Sequence, residues 1–378
     1  MQKKTILWLL AGTVVAMVPE YLIRFKESAY LFSYNHFSTY PGDLWNFFAN
    51  YLTQGLRYPP EYPAGLRFFY EIMGFYRYKN YTLFFTVNSL ILATFAIGTT
   101  LLLYLILKKY STGKQTISNL WYFWILAPSF LLYSTINYDL PVVFLIVLSV
   151  YLFFSEKYYG AVAALAVGMV IKVFPIFLLP VFIWKSPFKL RLKLTVLFVF
   201  IVVVLNLPYA LMDFHAWLFP YIWQISSNLT TSPSQDTYWW ILYPVTGKLS
   251  GWLSLFVFGL SYAFMWLKMK HAHFLNLCLM VILFFLLTDR IYSPQYNLYL
   301  LPFLVLVTYP ISKKLFYCIE VPNFLIVFFL FFLKDHSFYL QILVFVRYCA
   351  LIALLIYNYK QSYTQSIIFH EAALAPTG

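Results

Sequence analysis

The chain of 378 residues is 62% hydrophobic and only 10% charged, which leaves too little polar surface to cover a soluble globule of this length. Its formal net charge is +13, but the Lys and Arg residues stand singly or in small groups at the ends of apolar runs. Nucleic-acid binding, which needs a basic patch or stripe, is therefore disfavoured. The three cysteines lie inside apolar segments, so the sequence predicts neither a disulfide framework nor a cysteine-based metal site. Composition predicts an all-α polytopic membrane protein.

Apolar runs long enough to cross roughly 30 Å of hydrocarbon recur along the whole chain. They predict ten ordinary crossings. The predicted spans are 6–23, 81–107, 119–136, 140–154, 194–208, 250–267, 274–288, 297–311, 315–333 and 338–358. Residues 1–360 form one predicted membrane unit, and residues 361–378 are interpreted as a cytoplasmic tail or an expression remnant.

The apolar run 158–184 is too long for one comfortable crossing and too short for two, which need about 40 residues. If it crosses once, nine Lys and Arg face the cytoplasm and fifteen face outside. If it turns near Lys172 and Pro175 and returns, the counts reverse, as the positive-inside rule requires. The charges therefore favour a re-entrant helix pair. The alternative is one helix kinked at Pro175, with Lys172 reaching for an interface.

Two long polar connections, 24–80 and 208–249, both fall on the outer side when the N-terminus is cytoplasmic. A connection as long as the first is uncommon unless the loop has a function. Aromatic residues throughout both loops suit short helices that lie in the headgroup layer. We therefore expect the functional residues at the outer face.

Charged groups in or near a membrane are costly, so those on the outer side are the first candidates for function. Asp43 opens a predicted short helix that ends at Gly55, and a cluster of Tyr and Pro residues follows up to Pro63. An Asp directly before an apolar helix is also an ordinary N-cap. Asp43 is thus either a functional carboxylate or a helix cap.

Three further motifs follow Asp43 in the chain, namely Asn137–Asp139, Lys172–Pro180 and Tyr292–Tyr296. In this order, and together with the Asp43 loop, they resemble the sequence pattern of the GT-C superfamily of glycosyltransferases. The pattern is most similar to that of the mannosyltransferases that use polyprenyl-phosphate mannose. The resemblance covers about residues 1–310 and implies a GT-C-like helical bundle with helices in its outer loops.

The resemblance implies transfer of a hexose, mannose in the commonest case, from a polyprenyl phosphate to a hydroxyl of a glycolipid or glycan acceptor. A departing phosphate is already anionic and needs no general acid, so one carboxylate that accepts the acceptor's proton suffices. Asp43 would take this role, with inversion at the anomeric carbon. No cofactor is required by this scheme. Some branches of the superfamily have an Asp-x-Asp pair at this position, but here residue 41 is Pro41. The sequence therefore gives no support for a divalent metal.

Fixed cations at the membrane boundary would meet the negative charge that develops on the leaving phosphate. Lys172 and Arg290 are the candidates for this role. For Arg290, a salt bridge to the adjacent Asp289 is an equally open interpretation. Lys172 has no carboxylate beside it in the sequence, which favours the functional interpretation.

The remaining candidates for substrate binding are polar and aromatic residues of the motifs and the outer loops. They are Asn137, Asp139, Tyr62, Tyr292, Gln295, Tyr296 and His215. Tyr residues also gather in the aromatic belts of membrane proteins, and a lone His in a polar loop is commonly only solvated. Both interpretations stay open for these side chains.

A transporter or flippase for a lipid-linked or amphipathic substrate is the alternative, because broken helices with a charge at the break also mark transport sites. No inverted repeat is evident in the sequence, and the long first outer loop favours an enzyme. The expected location is a cell membrane with the active site facing outside, or the endoplasmic reticulum with a luminal site in a eukaryote. The expected partners are the lipid bilayer, the donor and the acceptor.

Accessibility labelling tests the re-entrant pair. In a background without Cys278, Cys318 and Cys349, single cysteines at the N-terminus and at Lys189 are expected to label from the same, cytoplasmic side, because four crossings separate them. A cysteine within 208–249 serves as the control and should label from outside. Labelling of the N-terminus and Lys189 from opposite sides would rule out the re-entrant pair.

Overall fold

A computed structural model describes residues 2–34, 63–73, 81–110, 115–135, 137–269, 271–307, 309, 311–327, 329 and 338–374. All regular structure in this part of the chain is helical, and it contains no strand. The all-α prediction is therefore confirmed for the described residues. The chain divides into two compact units, Met1–Ile225 and Ser226–Gly378. The prediction of one membrane unit over residues 1–360 stays a prediction.

The first unit is built from nine described helices, and a tenth contains the boundary between the units. They are α1 (Gln2–Tyr34), α2 (Ala64–Met73), α3 (Tyr81–Tyr110), α4 (Gln115–Leu120), α5 (Pro128–Tyr133), α6 (Asp139–Phe154), α7 (Tyr158–Ile171), α8 (Leu179–Lys185), α9 (Arg191–Met212) and α10 (Phe214–Thr230). The second unit continues with further helices. They are α11 (Tyr238–Thr246), α12 (Leu249–Lys268), α13 (Phe274–Thr288), α14 (Asn297–Leu306), α15 (Lys313–Val327) and α16 (Phe338–Leu374).

Five segments of the described helices are long and apolar enough to cross a membrane. They are Lys3–Leu22, Thr82–Lys109, Phe188–Met212, Leu249–Lys268 and Phe338–Ser362. Shorter apolar helices, among them α6, α7 and α13, accompany them. These helices fit a membrane-integral protein. The number of ten crossings stays a prediction.

The predicted span 119–136 is not one continuous helix. A π-helical turn, Trp121–Ile125, follows α4, and Ala127 then adopts an extended conformation with φ −67° and ψ 131°. The physical reason is Pro128, which opens α5, because proline disfavours the helical conformation in the residue before it. Hydropathy alone does not reveal this break, and the crossing over 119–136 stays a prediction.

Helices α1 and α3 form one layer of the first unit through apolar packing and buried hydroxyl bonds. The Thr100 hydroxyl lies 2.9 Å from the Thr13 hydroxyl and accepts a 2.9 Å hydrogen bond from Trp124 Nε1. Farther along, the Tyr21 ring stacks on Phe85 with centroids 5.5 Å apart. In a bilayer, where polar groups find no water, such bonds hold helices in register.

Helices α6 and α7 pack against each other, and α7 ends abruptly in the middle of the apolar run. Lys172 is extended, with φ −142° and ψ 138°, and a 3-10 helix, Phe174–Leu178, follows before α8. At 14 residues, α7 is about 21 Å long, shorter than the hydrocarbon core. The predicted helix break at Lys172 is confirmed. The return of the chain to its side of entry stays a prediction.

Helices also form inside both predicted outer loops, α2 in the first and α10 and α11 in the second.

The corner between α9 and α10 is held by Asn206, whose Oδ1 accepts hydrogen bonds from Trp217 Nε1 at 2.8 Å and from the Tyr221 hydroxyl at 2.9 Å. Asp213 caps α10 by accepting a 2.9 Å bond from the Ala216 amide. This corner folds the start of α10 back on the end of α9.

Candidate functional site

The structure joins two residues of separate sequence motifs, Asp139 and Lys172. Lys172 Nζ donates to Asp139 Oδ2 at 2.9 Å, and the side chains are 12% and 0% exposed, respectively. Asp139 is the first residue of α6, where the helix dipole stabilises a carboxylate. Lys172 reaches it because the chain leaves helical geometry at the end of α7. The result is a buried ion pair at a helix break.

The pair corrects one part of the sequence analysis. Lys172 has no carboxylate beside it in the sequence, which favoured the functional interpretation, but a partner lies 33 residues earlier in the chain. The contact depends on the packing of α6 against α7, which adjacency in the sequence does not reveal. A buried lysine keeps its charge at acceptable cost only when a partner compensates it, and Asp139 meets that requirement.

A further carboxylate, Glu20 on α1, supports the segment that leads into Asp139. Glu20 Oε2 accepts a 2.9 Å hydrogen bond from the Thr135 amide and a 3.2 Å bond from the Ser134 hydroxyl. In the same segment, the Tyr138 hydroxyl donates to Asn88 Oδ1 at 2.6 Å. The sequence analysis missed Glu20, although an acidic residue inside the first apolar span is the signal that would have found it.

Helix α2 lies against the end of α7, immediately before the break. A Cβ added to Gly65 would lie 2.7 Å from the carbonyl oxygen of Val170, so only glycine permits this approach. The Arg67 guanidinium lies 4.9 Å from the centre of the Tyr209 ring, which ties α2 to α9 as well. Since α2 belongs to the predicted first outer loop, that loop meets the chain beside the ion pair.

Asp43 and Tyr62, the two site residues predicted in the first outer loop, lie outside the described residues. Asn137 is buried in the segment before Asp139. His215 is exposed near the start of α10, beside the ring of Phe214. The structure therefore brings Asn137, Asp139 and Lys172 into one region of the first unit and leaves His215 on its surface.

The other predicted residues lie in the second unit, around the connection from α13 to α14. Arg290 is buried, and its Nη2 donates to the Thr231 carbonyl at 2.7 Å, while the Ser234 amide donates to the Arg290 carbonyl at 2.8 Å. The neighbouring Asp289 accepts a 3.0 Å bond from the Ile291 amide. Burial raises the pKa of the Asp289 carboxyl to about 6.

Tyr292 is an interior residue of the second unit, which excludes it from an aromatic belt. It is 1% exposed, and its hydroxyl donates to Asn297 Oδ1. Gln295 is buried in the same connection, and the half-buried Tyr296 ring packs on Phe285 with centroids 5.4 Å apart. Tyr292 and Tyr296 therefore both pack within the unit, and their predicted role in substrate binding stays a prediction.

Arg347 on α16 is a functional or structural residue that the sequence analysis missed. It is fully buried, its guanidinium lies 4.0 Å from the centre of the Tyr292 ring, and Nη1 donates to Asn323 Oδ1 at 2.8 Å. Asn323 in turn donates to the Pro294 carbonyl at 3.0 Å. Arg347 and Asn323 therefore contact the connection from α13 to α14, which contains the Tyr292–Tyr296 motif. A charge in the middle of an apolar span is again the signal that was overlooked.

No group of three or more His, Cys, Asp or Glu side chains that could hold a metal ion occurs among the described residues. Comparison of the chain with protein-family models, with curated proteins and with solved structures gives no match. The function is therefore inferred from the sequence pattern and from the geometry of the described residues.

A double-mutant cycle tests the ion pair. Asp139→Asn and Lys172→Met are each expected to lower the free energy of unfolding in detergent by about 3–5 kcal/mol, because each leaves one buried charge uncompensated. The double variant should recover most of this loss. Lys189→Met and Asp213→Asn, at exposed positions of the same unit, are the matched controls and should stay within about 0.5 kcal/mol of the parent. Simple additivity of the two core substitutions would contradict the pairing.

Proposed function

We propose that this protein is a membrane glycosyltransferase that moves a hexose, mannose in the first instance, from a polyprenyl phosphate to a hydroxyl of a glycolipid or glycan. The observation that carries the proposal is the buried Asp139–Lys172 pair at the break after α7. Its two residues come from two motifs of the glycosyltransferase pattern, and they lie 33 residues apart in the chain. Contact between them is what a shared site would require.

The position of the pair supports a site rather than a scaffold. Replacing a buried ion pair with well-packed apolar residues is often neutral or stabilising, so stability alone does not explain why a membrane unit contains one. Intramembrane ionisable residues commonly mark substrate pathways. Lys172 has non-helical backbone, and at the proposed membrane depth such backbone is tolerated where protein or a wet cavity surrounds it.

The proposed reaction needs one base and a cationic environment for the leaving group. The acceptor hydroxyl forms a bond to the anomeric carbon, the bond from that carbon to the phosphate oxygen breaks, and polyprenyl phosphate leaves. Asp43 would take the proton of the acceptor hydroxyl, and Lys172 would meet the phosphate as a point charge. Contact of α2 with the end of α7 supports this division, because α2 and Asp43 belong to the same loop.

Transport of a lipid-linked or amphipathic substrate is the second candidate. The helix break at Lys172 is the observation that favours it, since broken helices with a charge at the break form the sites of many transporters. An enzyme makes a new glycosidic bond and a transporter does not. The chemical fate of a labelled donor therefore separates the two candidates.

Asp43→Asn tests the proposed base in a transfer assay with labelled polyprenyl-phosphate mannose. Asparagine caps a helix about as well as aspartate but does not take a proton, so turnover should fall on the order of 100-fold or more with unchanged folding. Asp213→Asn is the matched control, because Asp213 caps α10 with a 2.9 Å bond to the Ala216 amide, and its turnover should stay near that of the parent. Near-normal turnover of a well-folded Asp43→Asn protein would show that Asp43 is a cap and not the base.

A further inference from the structure

A long apolar groove runs between three helices of the second unit. Its volume is about 510 Å³, within the roughly 300–1,000 Å³ of small-molecule sites. Helix α13 forms the floor with Met280 and Phe284, α12 forms one wall with Phe256 and Leu260, and α16 forms the other with Leu355. Its lining residues Phe256, Leu260 and Phe264 are exposed, and α12 and α16 are among the helices long enough to span a membrane, so an open groove of this kind would face lipid.

The helix directions are fixed by hydrogen bonds at the two ends of the groove. The Ser254 hydroxyl on α12 donates to the Thr288 carbonyl at the end of α13, at 2.6 Å. At the opposite end, Asn358 Nδ2 on α16 donates to the Asn276 carbonyl at the start of α13, at 3.0 Å. Helices α12 and α16 therefore both run antiparallel to α13, and their C-terminal parts lie at the same end of the groove.

That end of the groove is basic. The rings of Phe264 on α12 and Tyr359 on α16 meet there with centroids 5.6 Å apart, and both line the groove. Lys268 lies one helical turn after Phe264, Lys360 directly follows Tyr359, and both lysines are exposed. Helices α12 and α13 contain no Asp or Glu, and α16 contains none before Glu371. Two exposed lysines thus follow the last lining residues of α12 and α16 at this end of the groove.

We infer that this groove binds one acyl chain of an anionic glycerophospholipid, with the lipid phosphate at Lys268 and Lys360. The apolar lining matches a hydrocarbon chain, and the two lysines match the negative headgroup. The site lies in the second unit and involves none of the residues proposed for sugar transfer. The inferred ligand is accordingly a bound membrane lipid, and competition with polyprenyl phosphate tests it against the donor.

Lipid retention measured by native mass spectrometry tests the site on the full chain. After exchange into detergent with equal amounts of phosphatidylglycerol and phosphatidylcholine of the same acyl chains, we expect one tightly retained phosphatidylglycerol per chain. Ser261→Trp, which fills the groove, should abolish this retention. Leu253→Trp, at an exposed position of α12 outside the groove, is the matched control and should retain the lipid.

The charge is tested separately, so that the test does not depend on the folding of Ser261→Trp. Lys268→Gln with Lys360→Gln should reduce the preference for phosphatidylglycerol roughly 10- to 30-fold, because each lysine near an anionic headgroup contributes a factor of about five. Lys248→Gln, at the other end of α12, should leave the preference unchanged. Equal retention of both lipids by the parent, unchanged preference in the double variant, or displacement of phosphatidylglycerol by polyprenyl phosphate alone would each overturn the inference. Transfer activity does not enter the test, so its outcome is independent of the proposed function.

Discussion

The ion pair between Lys172 and Asp139 is the interaction on which the account of this protein depends. A lysine at the end of an apolar helix is costly in a membrane protein unless a partner compensates its charge. The partner is available only because α7 stops at Ile171 and α6 begins at Asp139, so that a helix break and a helix N-terminus meet. Glu20 fixes the approach to Asp139, and Gly65 lets α2 come close to the end of α7. Helix geometry, burial and charge thus converge on one place in the first unit.

The helical class and the break at Lys172 could be predicted from the sequence, because both follow from local properties. Apolar runs predict helices, and an apolar run of unusual length with an internal lysine and proline predicts an interruption. Helices in the predicted outer loops followed from aromatic composition in the same way. The break before Pro128 was equally local, but it was overlooked because hydropathy alone defined that span. The expectations about sides of the membrane rest on charge counts and stay predictions.

The partners of buried charges could not be predicted, because they depend on which helices pack together. Asp139 and Lys172 were chosen as separate candidates, and only the contact of α6 with α7 pairs them. In the second unit, Tyr292 was weighed as a belt residue, yet Arg347 lies over its ring. Arg347 and Glu20 were missed altogether, since only charges on the predicted outer side were considered as candidates. Those isolated charges were the most informative positions in the spans, because burial makes an unpaired charge expensive.

The central claim is that the site performs chemistry on a lipid-linked sugar. The most direct measurement follows labelled polyprenyl-phosphate mannose in proteoliposomes that contain the purified protein and a glycolipid acceptor. The account predicts that the label leaves the donor, enters a new glycosidic bond on the acceptor with inverted anomeric configuration, and releases polyprenyl phosphate in equal amount. Movement of intact labelled donor between leaflets, with no new glycosidic bond, would contradict the account and identify a transporter.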